Sequence, residues 1–67
     1  MNVNKLRGKI VERGMNVDRL ATEIGMNRAT LYRKLNALDK MTVGDALKIK
    51  EALKMTNAEA FDIFWAK

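Results

Sequence analysis

The 67 residues include no cysteine and no histidine, which removes disulfides, thiolate metal sites and the commonest general base. A hydrophobic fraction of 48% suits a folded chain with one small core, so a single domain over residues 1–67 is expected. The net charge of +5 points to a polyanionic partner.

That charge is unevenly spread. Met1 to Gly14 carries Lys5, Arg7, Lys9 and Arg13 against Glu12, and Arg28 to Lys40 carries Arg28, Arg33, Lys34 and Lys40 against Asp39. Met15 to Asn27 is slightly acidic, and Met41 to Lys67 is balanced. No apolar run approaches the roughly 20 residues that cross a bilayer. The start of the chain lacks the apolar stretch of a signal peptide, so a cytosolic protein without a membrane role is the simplest expectation.

A first helix is predicted from a cap at Asn2 or Asn4 to about Arg13, with Gly14 stopping it. Its inner stripe is Val3, Leu6, Ile10 and, at its edge, Val11. Lys5, Arg7, Lys9 and Arg13 then lie on outer faces, as a solvated surface or as phosphate contacts. Asn16 caps a second helix over Val17 to Ile24, with Asp18 favourably set in its first turn against the helix dipole. Ala21, beside Leu20, is small enough to let another helix cross closely.

Gly25-Met26-Asn27 separates this segment from the third helix, Arg28 to about Leu38. Gly25 can take the positive φ that ends one helix, and Asn27 can cap the next. Leu31, Leu35 and Leu38 recur at helical spacing. At about 100° per residue, Arg33 points almost directly away from the leucine side. Ala29, Thr30, Asn36 and Ala37 complete the outer face, with Tyr32 and Lys34 on the flanks. Arg28 is nearer the core in angle, but as the first helical residue it can extend past the helix end. Two helices joined so tightly form a helix-turn-helix, which sets its second helix in the DNA major groove.

Thr42 can cap a fourth helix from Val43 to about Leu53, with Val43, Ala46, Leu47, Ile49 or Lys50, and Leu53 as its stripe. Thr56 or Asn57 can cap a fifth, from about Ala58 to Trp65, with Phe61, Ile63, Phe64 and Trp65 as its apolar residues. These aromatics suit either core packing or a subunit interface. The methionines read as core filler and turn residues.

The stretch NVDRLATEIGMNRATLYRKLN resembles the helix-turn-helix of the Cro and cI-type phage regulators, the Xre-like family. Leu20-Ala21, Ile24-Gly25, Leu31 and the later Ile49 and Leu53 carry the likeness, which covers nearly the whole chain. The resemblance implies an all-α fold: a compact four- to five-helix, lambda-repressor-like DNA-binding domain. It implies a transcriptional repressor that binds double-stranded operator DNA, as a homodimer at least when bound, in a bacterial cytoplasm at the nucleoid. Carried over by position, Arg28, Ala29 and Arg33 are expected to read bases. Asn16, Tyr32, Asn36, Lys40 and Thr42 are expected to hold the DNA backbone, helped by the amides that open the second helix.

Two positions depart from the family. Relatives often carry glutamine at Val17, where it contacts the backbone and orients the recognition helix. Some pair an arginine with a glutamate at Ile10 and Leu35, where this chain is apolar. The Val17 departure, with Ala29 at a reading position, also admits a protein-binding anti-repressor or antitoxin of the same fold, with a repressor as its partner. An enzyme is not expected: no nucleophile–base pair, phosphate-cradling glycine loop or metal-ligand spacing is present, and no cofactor or metal is implied.

Overall fold

Each helix begins where a side chain takes up an otherwise unpaired first-turn amide. In the computed structural model, which describes residues 2–37 and 40–65, α1 spans Val3–Glu12, α2 Val17–Glu23, α3 Arg28–Asn36, α4 Val43–Ala52 and α5 Asn57–Ala60. α5 continues as a π-helical turn over Phe61–Trp65. No strand occurs among the described residues. Asn2, Asn16, Asn27, Thr42 and Thr56 are the caps, while Asn4 and Asn57 fall inside their helices. The second, third and fourth helices end a little earlier than their patterns reach, at Glu23, Asn36 and Ala52. Leu38 lies outside the described residues.

Three helices close in one way. After α1, the amides of Gly14 and Met15 donate back to the carbonyls of Val11 and Ile10. After α2, Gly25 and Met26 do the same to Thr22 and Ala21, and after α4, Lys54 and Met55 to Glu51 and Lys50. This is the Schellman closure, whose first closing residue must be left-handed. Gly14 (φ 72°) and Gly25 (φ 69°) adopt that conformation freely, whereas Lys54 (φ 53°) adopts it against the bulk of its own Cβ. The next residue, a methionine each time, stands just before the next cap. Four positions into the helix that follows are Leu20, Leu31 and Ala60, all buried. That is the spacing of a hydrophobic staple, which fixes the angle at which the chain enters a helix.

The core gathers Leu6 and Ile10 from α1, Leu20, Ala21 and Ile24 at α2, Leu31 and Leu35 from α3, Ala46, Ile49 and Leu53 at α4, and Met55, Ala60, Ile63 and Phe64 after it. Ile10 and Leu35, the apolar replacements for a charged pair, both belong to it. Several expected inner residues do not. Val11 is 73% exposed, because it lies a third of a turn beyond the Leu6–Ile10 stripe. Val43 and Leu47 also face out: the α4 stripe centres on Ala46, Ile49 and Leu53, and Asp45 is buried at its border. Phe61 is 60% and Trp65 44% exposed, leaving Ile63 and Phe64 as the packed residues of the last turn. No helix among the described residues is long and apolar enough to cross a membrane.

Candidate nucleic-acid interface

α3 has one face committed to packing and one to solvent. Leu31 and Leu35 are 0% and 1% exposed, while Arg28, Ala29, Tyr32, Arg33 and Asn36 are all exposed. The tight Gly25 turn sets α3 against α2 through Leu20, Ala21 and Leu31, so the orientation of the outer face is fixed by buried side chains. Of the sequence-predicted reading residues, Ala29 and Arg33 lie on the outer face, and Arg28 is exposed at the helix start beside Asp18.

Their side chains are lightly held. Arg33 Nη2 donates to the hydroxyl of Thr30, one turn back on its own helix, at 3.4 Å. Arg28 Nη1 donates to Asp18 Oδ2 at 3.3 Å, across the turn from α2. The other candidates border this surface. Asn16 accepts from the Arg19 amide at 2.8 Å through its side-chain oxygen, which leaves its NH2 as a donor. Asn36 accepts from Arg7 Nη2 at 3.4 Å, so a base of α1 reaches the end of α3. Thr42 is exposed and caps α4, its hydroxyl accepting from the Asp45 amide. Thr30, Arg33, Lys34, Asn36, Ala37 and Lys40 line an open groove of about 430 Å³ along the C-terminal part of α3.

Lys34, on a flank of α3, is held by a neighbouring helix. Its ammonium is paired with Asp45, and the two side chains are only 22% and 12% exposed. Asp45 also accepts from the Thr42 amide, closing a capping box at the start of α4. Burial pushes the Asp45 carboxyl up, but hydrogen bonds from Lys34 and Thr42 outweigh it and hold the group below the ordinary carboxylate range. One carboxylate therefore ties together α3, the loop after it and α4. Nothing in the periodicity of either helix signalled this pair, because Val43 and Leu47 suggested a different inner face for α4.

Lys5, Lys9 and Arg13, the other bases of the first segment, are engaged elsewhere. Lys5 pairs with Asp62 at 2.8 Å. Lys9 pairs with both Glu12 and Glu59, and its side chain is only 15% exposed. Arg13 Nε donates to the Leu53 carbonyl at 2.8 Å, and its Nη2 approaches Glu59 at 3.5 Å. The hydrogen bond from Lys9, with one from the Thr56 amide, lowers the Glu59 carboxyl to about 2. Lys9 and Arg13 thus serve the seam between α1 and α5 and are not the open surface their helical positions suggested.

Residues 5–64 match the Cro/C1-type HTH DNA-binding domain family. No curated protein and no solved structure matches the chain. With five helices in the expected order and the turn between α2 and α3 intact, the chain belongs to the Cro/C1-type helix-turn-helix DNA-binding family.

Proposed function

We propose that this protein is a sequence-specific regulator of transcription, a Cro-like phage or prophage repressor that sets α3 in the major groove of operator DNA. The observation that carries the reading is the division of α3: leucines sealed inside, Ala29 and Arg33 exposed on the outer face and Arg28 exposed at its start. An arginine reaching O6 and N7 of guanine is the commonest specific contact, and an alanine methyl can meet that of thymine. Asn16, Tyr32, Asn36, Lys40 and Thr42 hold the phosphates on either side. Two copies bind together, their α3 helices entering adjacent major grooves about 34 Å apart. Phe61 and Trp65, exposed on the last described turn, supply apolar surface for the second copy. The bound dimer acts by occlusion in the host cytoplasm, blocking polymerase or a competing repressor.

Two variants test the assignment. Arg33→Ala is expected to cost about 1–3 kcal/mol of base discrimination. Lys40→Ala is expected to weaken all duplexes alike and to lower the salt slope by about 1. Arg33→Ala protein with unchanged affinity and preference would remove α3 from the reading role.

A second reading, a protein-binding anti-repressor, is favoured by one observation. Val17 packs partly buried against the core, so its side chain serves packing where relatives offer DNA a glutamine. Binding of a protein partner that persists at salt which abolishes DNA binding would select this reading.

A further inference from the structure

Of the two arginines on α3, Arg28 has an acidic partner, and that partner comes from another helix. Its Nη1 lies 3.3 Å from Asp18 Oδ2, with the side chains 69% and 52% exposed. Asp18 sits in the first turn of α2. The cap there is already made by Asn16, whose side chain accepts from the Arg19 amide. Capping therefore does not account for where the Asp18 carboxylate lies. Among the described residues, Arg33 bonds by contrast to Thr30 of its own helix.

We infer that Asp18 determines specificity by orienting Arg28 toward guanine and by opposing contact with phosphate. The inference rests on α3 entering the major groove as proposed above. A guanidinium has five N–H donors in a planar fork, so one engaged by Asp18 leaves others for O6 and N7 of a guanine. In water such an exposed pair is weak and screened. A duplex that covers it expels water, and the attraction grows as the local dielectric falls. Arg28 then reaches a base without first losing its freedom to swing toward the backbone. The carboxylate is also a repulsive element: it lies near the DNA backbone and disfavours any sequence that gives Arg28 no base to hold. The favoured site therefore carries a guanine for Arg28.

The test is selection from randomised duplexes, followed by affinity measurements on selected and scrambled duplexes at one salt concentration. Wild type is compared with Asp18→Asn, Arg28→Ala and the double variant. Asp18→Ser is run in parallel, and thermal melts check folding, so that a folding defect in one variant does not decide the result. Wild type is expected to select a fixed guanine. Asp18→Asn is expected to lower discrimination at that base about tenfold and to tighten binding to scrambled duplex by about two- to threefold. In the Arg28→Ala background, removing the Asp18 charge leaves discrimination at that base unchanged. If Asp18→Asn and Asp18→Ser both keep the guanine preference and the selected-to-scrambled ratio within about twofold of wild type, Asp18 is only a helix-dipole residue and the inference is overturned. If wild type enriches no sequence at all, the DNA-binding reading fails first.

Discussion

The α1 segment and the α3 segment carry equal excesses of positive charge, yet the fold uses them in opposite ways. On α1, Lys5, Lys9 and Arg13 close onto Asp62, Glu59 and the Leu53 carbonyl, joining the first helix to the last. On α3, Lys34 is drawn into a part-buried pair, while Arg28 keeps an exposed pair with Asp18 and Arg33 stays exposed. The difference lies in what each helix packs against. The end of the chain supplies α1 with Glu59 and Asp62. Among the described residues, the exposed side of α3 meets one carboxylate, Asp18, from beside its start. A basic stretch becomes an anion-binding surface only where tertiary pairing leaves it unneutralised.

Breaking the inner side of α3 should produce the largest effect. Leu35→Ala removes a side chain that is 1% exposed, and is expected to cost about 2–5 kcal/mol in denaturant unfolding. For so small a domain this approaches the whole of its stability, so DNA binding falls with folding. Asp45→Asn is next. It leaves Lys34 without its counter-charge and weakens the α4 cap, at about 1–3 kcal/mol in the same assay. It also frees a cation beside the α3 groove, so the salt dependence of binding to any duplex should steepen.

Glu59→Gln sharpens the comparison from the α1 side. The folded Glu59 carboxyl lies at about 2, below its ordinary 4.5, so its stabilisation is complete above pH 4.5 and is lost as pH falls toward 2. Glu12 is lowered in the same direction by Lys9. Lys9 is raised by the hydrogen bonds it donates to Glu12 and Glu59, so its contribution is complete below 10.5 and is lost as pH rises past its folded value. The melting temperature should therefore be level near neutrality and fall on the acid side, and Glu59→Gln should flatten that acid fall. Base preference and salt slope should stay as in wild type. A change in base preference would place the seam within the reading surface.

The helix-turn-helix was legible because it rests on local rules. Asn16, Gly25, Asn27, Leu31 and Leu35 each do what their position requires of a cap, a stop or an inner residue. A further local signal was there to be read. Gly-Met-Asn occurs at 14–16 and again at 25–27, and Lys-Met-Thr at 54–56, each ending one helix and capping the next, while a second Lys-Met-Thr, at 40–42, caps α4. The left-handed Lys54 hid the third instance, since a lysine gives no hint that the chain turns there. What the sequence concealed is non-local. Lys34 and Asp45, Lys9 and Glu59, and Arg28 and Asp18 meet only because the helices cross as they do. Val43 and Leu47 misled for a related reason: α4 turns its Asp45 border inward to meet Lys34, and its two exposed aliphatics are carried outward.

The contrast between the two basic helices is tested most directly by titrating isotopically labelled protein with duplex DNA and following every backbone amide. Shifts should cluster at residues 16–19, 27–37 and 40–42, with a smaller set at 61–65 where the second copy docks, and the α1–α5 seam at residues 8–13 and 57–59 should stay still. Shifts centred on that seam, or none at duplex concentrations that saturate other small helix-turn-helix domains, would contradict the assignment of α3 as the surface that meets DNA.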